Sequence, residues 1–285
     1  MSLSHKKIRV CVLMNAFHPG ANILLNTISN DPNIEICGIV IKNIWATAKK
    51  KENQGLLSAW LAWGERSGHY FVLALASMVI LYFLNIWLME VLLIGILFSS
   101  RKYFKSTSRI AWEKGIPLQK TSDINSEETI QDIKALNPDI LLSNNFHQII
   151  SPEVLKIPKI GSINVHPGVL PMYKGLLPHF WAIIRGEKKL GVTLHEIDEG
   201  VDTGSVISEK RFLLKKGESF YMAWKKTALV GAELLKTYFY KLRFKKPIFK
   251  KKPSKNISQF FSFPGEKEYE KFRKKKKSLF DFSDF

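Results

Sequence analysis

The sequence predicts an α/β fold: a doubly wound, mostly parallel sheet with an inserted apolar helical segment and a short basic C-terminal tail. Strand, helix and strand patterns open the chain at residues 8–14, 20–29 and 34–41, which is typical of a parallel sheet with crossover helices. The same alternation resumes after residue 105. Between the two parts lies an apolar run that the layers of such a sheet do not require.

The second part of the chain supplies the rest of the predicted sheet. In order, its patterns predict helix 108–114, strand 116–119, helix 126–136, strand 139–143, strand 162–165, helix 178–185, strand 191–197 and helix 218–240. We therefore divide the chain into one split domain, residues 1–48 and 106–243, an insertion over 49–105 and a tail over 244–285.

Composition favours a reducing compartment and excludes a disulfide-stabilised scaffold. The 285 residues are 46% hydrophobic, enough for one large domain, and include two cysteines, Cys11 and Cys37. Both lie in apolar runs on predicted neighbouring strands, so we expect buried free thiols. The first apolar run is too short for a secretory signal, so we expect the catalytic part to stay in the cytosol.

The formal net charge of +18 is concentrated near the C-terminus. Residues 241–277 hold 15 Lys and Arg residues but three acidic ones, Glu266, Glu268 and Glu270. Such a patch favours an anionic partner, either nucleic acid or an acidic lipid surface. Because the chain also has an apolar insertion, we expect an anionic membrane leaflet rather than nucleic acid.

The insertion has the length and composition of a membrane segment. Residues 70–98 are apolar apart from two strongly polar side chains, Asn85 and Glu90, and about 20 apolar residues suffice to cross a bilayer. At about 1.5 Å per residue, such a helix is roughly 43 Å long. A buried core helix is the alternative, but the predicted sheet already completes its layers without one.

Charges around the insertion predict how it meets the membrane. Three lysines at 49–51 precede it, and Arg101, Lys102 and Lys105 follow it, so both ends are expected to face the cytosol. A single crossing is excluded, because strands on both sides must pair within one domain. A helical hairpin with residues 55–63 as its first arm, or a segment embedded in one leaflet, remains. The short first arm favours the leaflet-embedded form.

Two polar side chains are predicted to meet at the end of a buried strand. Side chains two apart on a strand point to one face, so Asn164 and His166 project together. A Pro-Gly pair then breaks the strand, at the carboxyl edge where open α/β sheets bind ligands. The strand 191–197 leads into a glycine-containing loop, from which Asp202 can return to the pair. Taken alone, Asn-x-His at a strand end is also typical of a structural pair.

The wider pattern around these residues resembles a known family. The chain reads N-x-H-P-x-x-L-P-x-Y-K-G from Asn164, P-x-x-W-A-I-x-x-G-E from Pro178, G-V-T from Gly191 and D-x-G-x-D-T-G from Asp198. This combination resembles the folate-dependent formyltransferases, which include glycinamide ribonucleotide transformylase, methionyl-tRNA formyltransferase and the amino-sugar formyltransferases. The resemblance covers residues 9–41 and 116–212 and a looser tail, and it leaves the insertion outside.

The resemblance implies a Rossmann-like fold and transfer of a formyl group from 10-formyltetrahydrofolate to a primary amine. It implies that Asn164 and His166 donate to the oxyanion, that His166 moves a proton to the leaving nitrogen, and that Asp202 orients the imidazole. The folate is expected between two loops, at Phe146, His147, Gln148, Ile150, Asp198, Glu199, Gly200 and Val201. No metal is expected, since none of the seven histidines has an evident set of partner ligands.

The acceptor side is expected to include Gly20, Asn22, Pro167, Gly168, Lys174 and Gly175. Gly20 and Asn22 resemble a Gly-Ser-Asn-Leu segment that contacts the substrate phosphate in glycinamide ribonucleotide transformylase, although a plain turn is the alternative. Family members often have Ser where Gly168 stands, and Lys174 replaces the usual Arg. The identity of the amine is therefore the least transferable part of the resemblance.

The insertion predicts a position on the cytosolic face of a membrane. We therefore expect an acceptor amine held there, such as an amino sugar on a lipid or polyprenyl carrier. The alternatives are a sugar-nucleotide N-formyltransferase, a methionyl-tRNA formyltransferase and a 10-formyltetrahydrofolate hydrolase. A non-catalytic folate-binding scaffold is a further alternative.

Overall fold

The computed structural model of the chain describes residues 6–15, 18–42, 69–91, 105–254, 257–275, 277–281 and 284. The strands in these residues are β1 (Ile8–Asn15), β2 (Ile34–Lys42), β3 (Leu118–Thr121), β4 (Ile140–Asn144), β5 (Gly161–His166), β6 (Lys174–Gly175), β7 (Lys189–Glu196), β8 (Val206–Leu213) and β9 (Phe260–Phe261). Seven of them form one sheet in the order β3-β2-β1-β4-β5-β7-β8, and β6 pairs with β9 in a separate ribbon.

The main sheet is parallel from β3 to β5 and antiparallel beyond β5. The strand β1 pairs parallel with β2 and β4, β2 with β3, and β4 with β5. The strand β7 pairs antiparallel with both β5 and β8. The predicted doubly wound, mostly parallel sheet is therefore confirmed. The edge strand β8 was not predicted, because its residues are mostly exposed or half-buried.

The helices are α1 (Pro19–Ile28), α2 (His69–Val91), α3 (Thr107–Lys114), α4 (Glu127–Leu136), α5 (Pro152–Leu155), α6 (Pro178–Ile184), α7 (Phe220–Arg243) and α8 (Glu266–Lys274). Several begin at a serine cap: Ser106, Ser126 and Ser219 each accept a hydrogen bond from the backbone N–H three residues later. Such caps satisfy N–H groups that have no partner within the helix. The sequence therefore fixes where these helices start.

The strand β1 shows how the sheet is buried on both faces. Val10 and Val12 belong to the larger apolar cluster, together with residues of α1 and α7. Cys11 belongs to a smaller cluster on the opposite face, with residues of α4. Cys11 and Cys37 are buried free thiols, as predicted, and burial raises the pKa of Cys37 to about 11 and that of Cys11 as well.

One side of the insertion helix α2 packs against the domain. Phe71, Met78, Tyr82 and Ile86 are buried at helical spacing along this side. The Tyr82 hydroxyl donates to Asn22 Oδ1 of α1 at 2.6 Å. The expectation that the domain has no surface to bury such a helix is therefore wrong for this side, because α1 and α7 offer it one.

The opposite side of α2 is exposed and equally apolar. We call it the outer face, and its large side chains, 37–63% exposed, are Leu73, Ile80, Leu84, Trp87 and Leu88. By length and composition, residues Phe71–Leu88 are able to cross a membrane: their mean hydropathy is 2.3, and 33% of them are buried. A soluble core helix can pass the same test. A core helix of that kind would not expose a row of large apolar side chains, as α2 does on its outer face.

The rest of the predicted insertion lies outside the described residues. This holds for the lysines at 49–51, the predicted first arm at 55–63, residues 92–98 and the basic pair Arg101 and Lys102. Where the described chain resumes, the Ser106 N–H donates to Glu90 Oε1 at 2.7 Å. The insertion therefore returns to the domain beside the end of α2.

The tail packs against the domain. The strand β9 pairs with β6, and α8 packs on α6. Trp181 donates its indole N–H to the Ser262 carbonyl at 3.1 Å, and its ring stacks on Phe261 at 4.9 Å. Phe272 of α8 is fully buried. The described part of the tail is thus an integral layer of the fold.

Tyr82→Phe is expected to lower the free energy of unfolding by about 1–2 kcal/mol, because the buried Asn22 amide loses a hydrogen-bond donor. Urea unfolding of the detergent-solubilised protein measures the change. Tyr240→Phe is the matched control: Tyr240 is 48% exposed, and its change should stay below about 0.5 kcal/mol. Equal effects of the two substitutions would contradict the packing of α2 on α1.

Candidate active site

A cleft of about 480 Å³ opens at the carboxyl ends of β4 and β5. Its lining includes Ser143 of β4 and both Asn164 and His166 of β5. Asp202 lines it from the loop that follows β7. The predicted constellation therefore lies at the predicted edge of the sheet, in a space large enough for a small-molecule ligand.

Asn164 lies opposite His195 in the antiparallel pairing of β5 and β7. The Asn164 Nδ2 atom is 3.1 Å from His195 Nε2, and His195 Nδ1 is 2.7 Å from the Glu196 carbonyl oxygen. The Nδ1–H group donates to that carbonyl, so the lone pair at Nε2 accepts from Asn164. His195 is thereby held in one neutral tautomer, and the second N–H of Asn164 remains for the cleft.

His166 is held between a backbone carbonyl and a carboxylate. Its Nε2 atom lies 2.6 Å from the Tyr173 carbonyl oxygen and donates to it. Its Nδ1 atom lies 3.4 Å from Asp202 Oδ1, which is also 3.6 Å from His195 Nε2. One carboxylate oxygen therefore lies near both imidazoles, and the predicted meeting of Asn164, His166 and Asp202 is observed.

Backbone constraints hold the Asp202 loop in place. Asp202 adopts a left-handed φ of 54°, and its Oδ2 accepts from the Gly175 N–H at 2.8 Å. Gly175 has a φ of 87°, and an added Cβ would lie 2.2 Å from the Phe261 carbonyl oxygen. At Gly204 an added Cβ would lie 1.8 Å from the Glu196 carbonyl oxygen. The glycines of the two motifs are thus required by close backbone approach.

Comparison with known proteins identifies the region that carries these motifs. Residues 100–236 match the family model described as formyl transferase. Methionyl-tRNA formyltransferase of Clostridioides difficile (strain 630) is 42% identical over 127 residues, which cover 45% of this chain and 41% of that protein.

Residues 100–236 are similar to the formyl transferase family. The predicted resemblance is confirmed.

A relative with a different name also matches part of the chain. The bifunctional polymyxin resistance protein ArnA of Wigglesworthia glossinidia brevipalpis is 34% identical over 137 residues, 48% of this chain and 21% of that protein. The chain therefore spans less than half the length of these curated relatives.

Solved structures extend the likeness of fold to most of the chain. WlaRD, a sugar 3N-formyl transferase crystallised with dTDP and 5-N-formyl-THF, superposes with a TM-score of 0.52 at 18% identity, over 90% of this chain and 70% of that one. Phosphoribosylglycinamide formyltransferase from Bacillus halodurans gives 0.53 at 16% identity, over 82% and 94%. At these identities the likeness is one of fold.

Electrostatics in the cleft favour an ion pair between His166 and Asp202. Burial alone would lower the pKa of His166, but the negative charge of Asp202 and the hydrogen bond to the Tyr173 carbonyl raise it above 6.5. Burial alone would raise the pKa of Asp202, but His166 and the Gly175 N–H hold it well below its usual value. Burial, reinforced by the charge of His166, lowers the pKa of His195 to about 4.

The two loops predicted to hold the folate both line the cleft. Of the predicted residues, the lining includes Phe146, His147, Gln148, Ile150, Asp198, Gly200 and Val201. Glu199 is exposed and lies outside this lining. The Gln148 side chain accepts from the Ile124 N–H, which ties it to the loop before α4 and leaves its backbone for a ligand. Folate binding by these loops stays a prediction.

The predicted acceptor residues are divided in space. Pro167 and Gly175 line the cleft, and Gly20 lines a smaller adjoining cavity. Gly168 lies behind His166, where an added Cβ would be 3.0 Å from His166 Nε2. Neither Gly168 nor Lys174 belongs to the cleft lining drawn from the described residues.

The predicted acceptor contact of Asn22 is wrong. Its side chain is 1% exposed, and its Nδ2 donates to the Lys105 carbonyl at 3.0 Å and the Thr107 hydroxyl at 3.2 Å. Its Oδ1 accepts from Tyr82. The amide of Asn22 therefore fastens the insertion to the domain.

Sequence reasoning missed His195 and the aromatic wall of the cleft. The signal for His195 was a single imidazole in the apolar strand β7, but its meaning depends on the antiparallel register with β5. One ligand atom from each of His166, His195 and Asp202 lies within 4.8 Å of the others. The sequence alone did not indicate that these three side chains lie together. The wall comprises Trp224 of α7 with Phe260 and Phe263 of the tail.

The pKa of His166, followed by NMR through its ring protons, is expected to lie above 6.5 and to fall below 6.5 in Asp202→Asn, because burial then dominates. His179 is an internal control, since burial lowers its pKa to about 3 and it should not titrate near neutrality. An unchanged His166 pKa in Asp202→Asn would contradict the ion pair.

The pKa shifts of His166 and Asp202 determine the pH range in which their ion pair stabilises the folded protein. The raised pKa of His166 gives a contribution that is complete below about pH 6.5 and is lost as pH rises through its folded-state pKa. The lowered pKa of Asp202 gives a contribution that is lost only as pH falls through its own folded-state pKa. The ion pair therefore stabilises the protein most between the two ordinary pKa values, about 3.8 and 6.5.

Proposed function

We propose that the chain transfers the formyl group of 10-formyltetrahydrofolate to a primary amine held at a membrane surface. The observation that carries the transfer is the meeting of Asn164, His166 and Asp202 in the cleft of a formyl transferase domain. An amide donor, an imidazole and a carboxylate around one point suit acyl transfer through an oxyanion. The same residues bear no resemblance to a redox or phosphoryl-transfer site.

In the proposed reaction, the amine nitrogen forms a bond to the formyl carbon and the carbonyl oxygen becomes an oxyanion. The free N–H of Asn164 donates to that oxygen. His166 Nδ1 is the imidazole nitrogen that faces Asp202, and its 3.4 Å separation is longer than a normal hydrogen bond, which leaves its proton available to the oxyanion. The amine proton passes through water to Asp202, His166 protonates the folate nitrogen, and the carbon–nitrogen bond to folate breaks.

The membrane position is supported by the outer face of α2. Five large apolar side chains are exposed there, and burying each fully contributes about 1.5–3 kcal/mol. Because the other side of α2 packs on the domain, lipid can reach one side only. This favours a helix lying in one leaflet over a helix surrounded by lipid.

The position of α2 also supports a bilayer-confined acceptor. Phe71, near the start of α2, lies 5.6 Å from the ring of Phe263, which lines the cleft. The helix α8 of the tail lies close to the start of α2, since its Tyr269 ring is 4.9 Å from Phe71. Basic residues near an anionic leaflet contribute about 1 kcal/mol each. An amino sugar on a lipid or polyprenyl phosphate would thus meet the cleft at raised local concentration.

A soluble sugar nucleotide is the second proposed acceptor. Structures similar in fold were crystallised with a nucleotide, dTDP in WlaRD, and with a sugar nucleotide, dTDP-3-aminofucose in the N-formyltransferase of Helicobacter canadensis. In this alternative, the insertion only localises the enzyme.

His166→Ala is expected to reduce formyl transfer by about 100- to 1,000-fold, because one oxyanion donor and the proton-transfer group are lost. Folate binding, measured by fluorescence quenching, should persist. His69→Ala is the control, since His69 is an exposed histidine at the start of α2. Near-normal transfer by His166→Ala would refute the mechanism.

The acceptor is identified by adding 10-formyltetrahydrofolate labelled in the formyl group to a lipid extract, to soluble amino-sugar nucleotides, or to charged methionyl-tRNA. Label in the lipid fraction is expected. Label only in nucleotide or tRNA would refute the lipid acceptor, and labelled formate in every reaction, without a formylated product, would identify a hydrolase.

Contact between the outer face and lipid is tested with a fluorescent label on Ile80→Cys. Because Cys11 and Cys37 are buried with raised pKa values, a thiol reagent should modify the introduced cysteine. We expect a blue shift with anionic vesicles and quenching by spin-labelled lipid. Ile160→Cys is the control: Ile160 is 51% exposed, against 63% for Ile80, and lies before β5. Equal quenching at both positions, or none at Ile80, would contradict the proposal.

A further inference from the structure

We propose that His166, His195 and Asp202 bind one divalent first-row transition ion, Zn²⁺ in particular, as an inhibitor of the enzyme. The site is made from one carboxylate and two imidazoles that come from three separate elements of the fold. Imidazole and carboxylate together suit zinc and its neighbours, whereas Mg²⁺ prefers oxygen ligands alone.

The ligand atoms already have nearly the spacing that a tetrahedral ion requires. With metal–ligand bonds of about 2.0–2.1 Å, ligand atoms around zinc lie roughly 3.3 Å apart. The Asp202 Oδ1 atom is 3.4 Å from His166 Nδ1 and 3.6 Å from His195 Nε2. All three atoms lie within 4.8 Å of one another, so a small rotation of the imidazoles completes the set.

Both imidazoles are oriented as metal ligands by hydrogen bonds on their far sides. His166 donates from Nε2 to the Tyr173 carbonyl at 2.6 Å, and His195 donates from Nδ1 to the Glu196 carbonyl at 2.7 Å. Each ring therefore turns its other nitrogen toward Asp202. A backbone carbonyl that fixes the ring of a ligating histidine is a common supporting contact in zinc sites.

The site is accessible, and one contact must be given up. All three side chains line the cleft, so an ion and a water as fourth ligand can enter from solvent. The His195 Nε2 atom accepts from Asn164 Nδ2 at 3.1 Å, and the ion has to displace this hydrogen bond. After that hydrogen bond is lost, the Asn164 amide still faces the open cleft, so it is not buried without a partner.

Bound metal would remove the groups that the proposed reaction uses. The His166 nitrogen that faces the oxyanion and the carboxylate that takes the amine proton would both be occupied. This inhibition rests on the proposed function, whereas the metal binding itself does not. The two are therefore measured separately.

The experiment titrates the untagged, metal-free full chain in detergent with Co²⁺ alone and records visible d–d absorption, followed by displacement with Zn²⁺. We expect one ion per chain with the spectrum of a four-coordinate site. His195→Asn and Asp202→Asn should each weaken binding by at least about tenfold. Thermal unfolding and circular dichroism establish that each variant is folded, and using two variants keeps the test valid if one fails to fold.

His147→Gln is the matched control, because His147 lines the same cleft outside the ligand set and should keep one bound ion. Mg²⁺ at millimolar concentration should leave the Co²⁺ spectrum unchanged. No stoichiometric binding, or full binding by folded His195→Asn, would overturn the site. Stoichiometric binding with formyl transfer unaffected would overturn the inhibition alone, and transfer absent with or without metal would count against the proposed function.

Discussion

The carboxylate of Asp202 is the contact on which the geometry of the site depends. Its two oxygens reach the imidazoles of His166 and His195 and the backbone N–H of Gly175. His166 lies on β5 and His195 on its antiparallel partner β7, whereas Gly175 lies on β6 of the separate ribbon. The Asp202 carboxylate thus links His166, at the end of a strand of the main sheet, to the ribbon that joins the tail. Burial of this charge is tolerable because each oxygen has a partner.

Local patterns predicted the sheet and the position of Asn164, His166 and Asp202, because strand periodicity and turn residues act over a few positions. His195 was beyond such reasoning, since its contact with Asn164 depends on strand register across 31 residues. The true role of Asn22 was also hidden, because Tyr82 lies 60 residues away. The motif resemblance assigned Asn22 to the acceptor site, whereas in the fold its side chain binds the insertion.

For the insertion and the tail, average composition does not predict how the segment packs against the domain. The apolar insertion is predicted to embed in one leaflet, with no surface of the domain left to bury it, yet Phe71 and Tyr82 are buried by protein. The basic tail is predicted to meet an anionic leaflet, and its charge does not indicate that Phe261 and Phe272 are buried in the domain. In both segments a few aromatic side chains decide the packing, and average composition does not record them.

The split of the sheet has a consequence for biosynthesis. Val10 of β1 pairs with Ile140 of β4, and the Arg9 N–H donates to Asp139 across 130 residues of chain. A nascent chain emerging from the ribosome therefore exposes the apolar helix α2 before the central strand pair can close. Such long-range parallel pairing forms slowly, and its open edges invite aggregation. Early burial of α2, by lipid or by a targeting factor, would shield the half-made domain until β4 is synthesised.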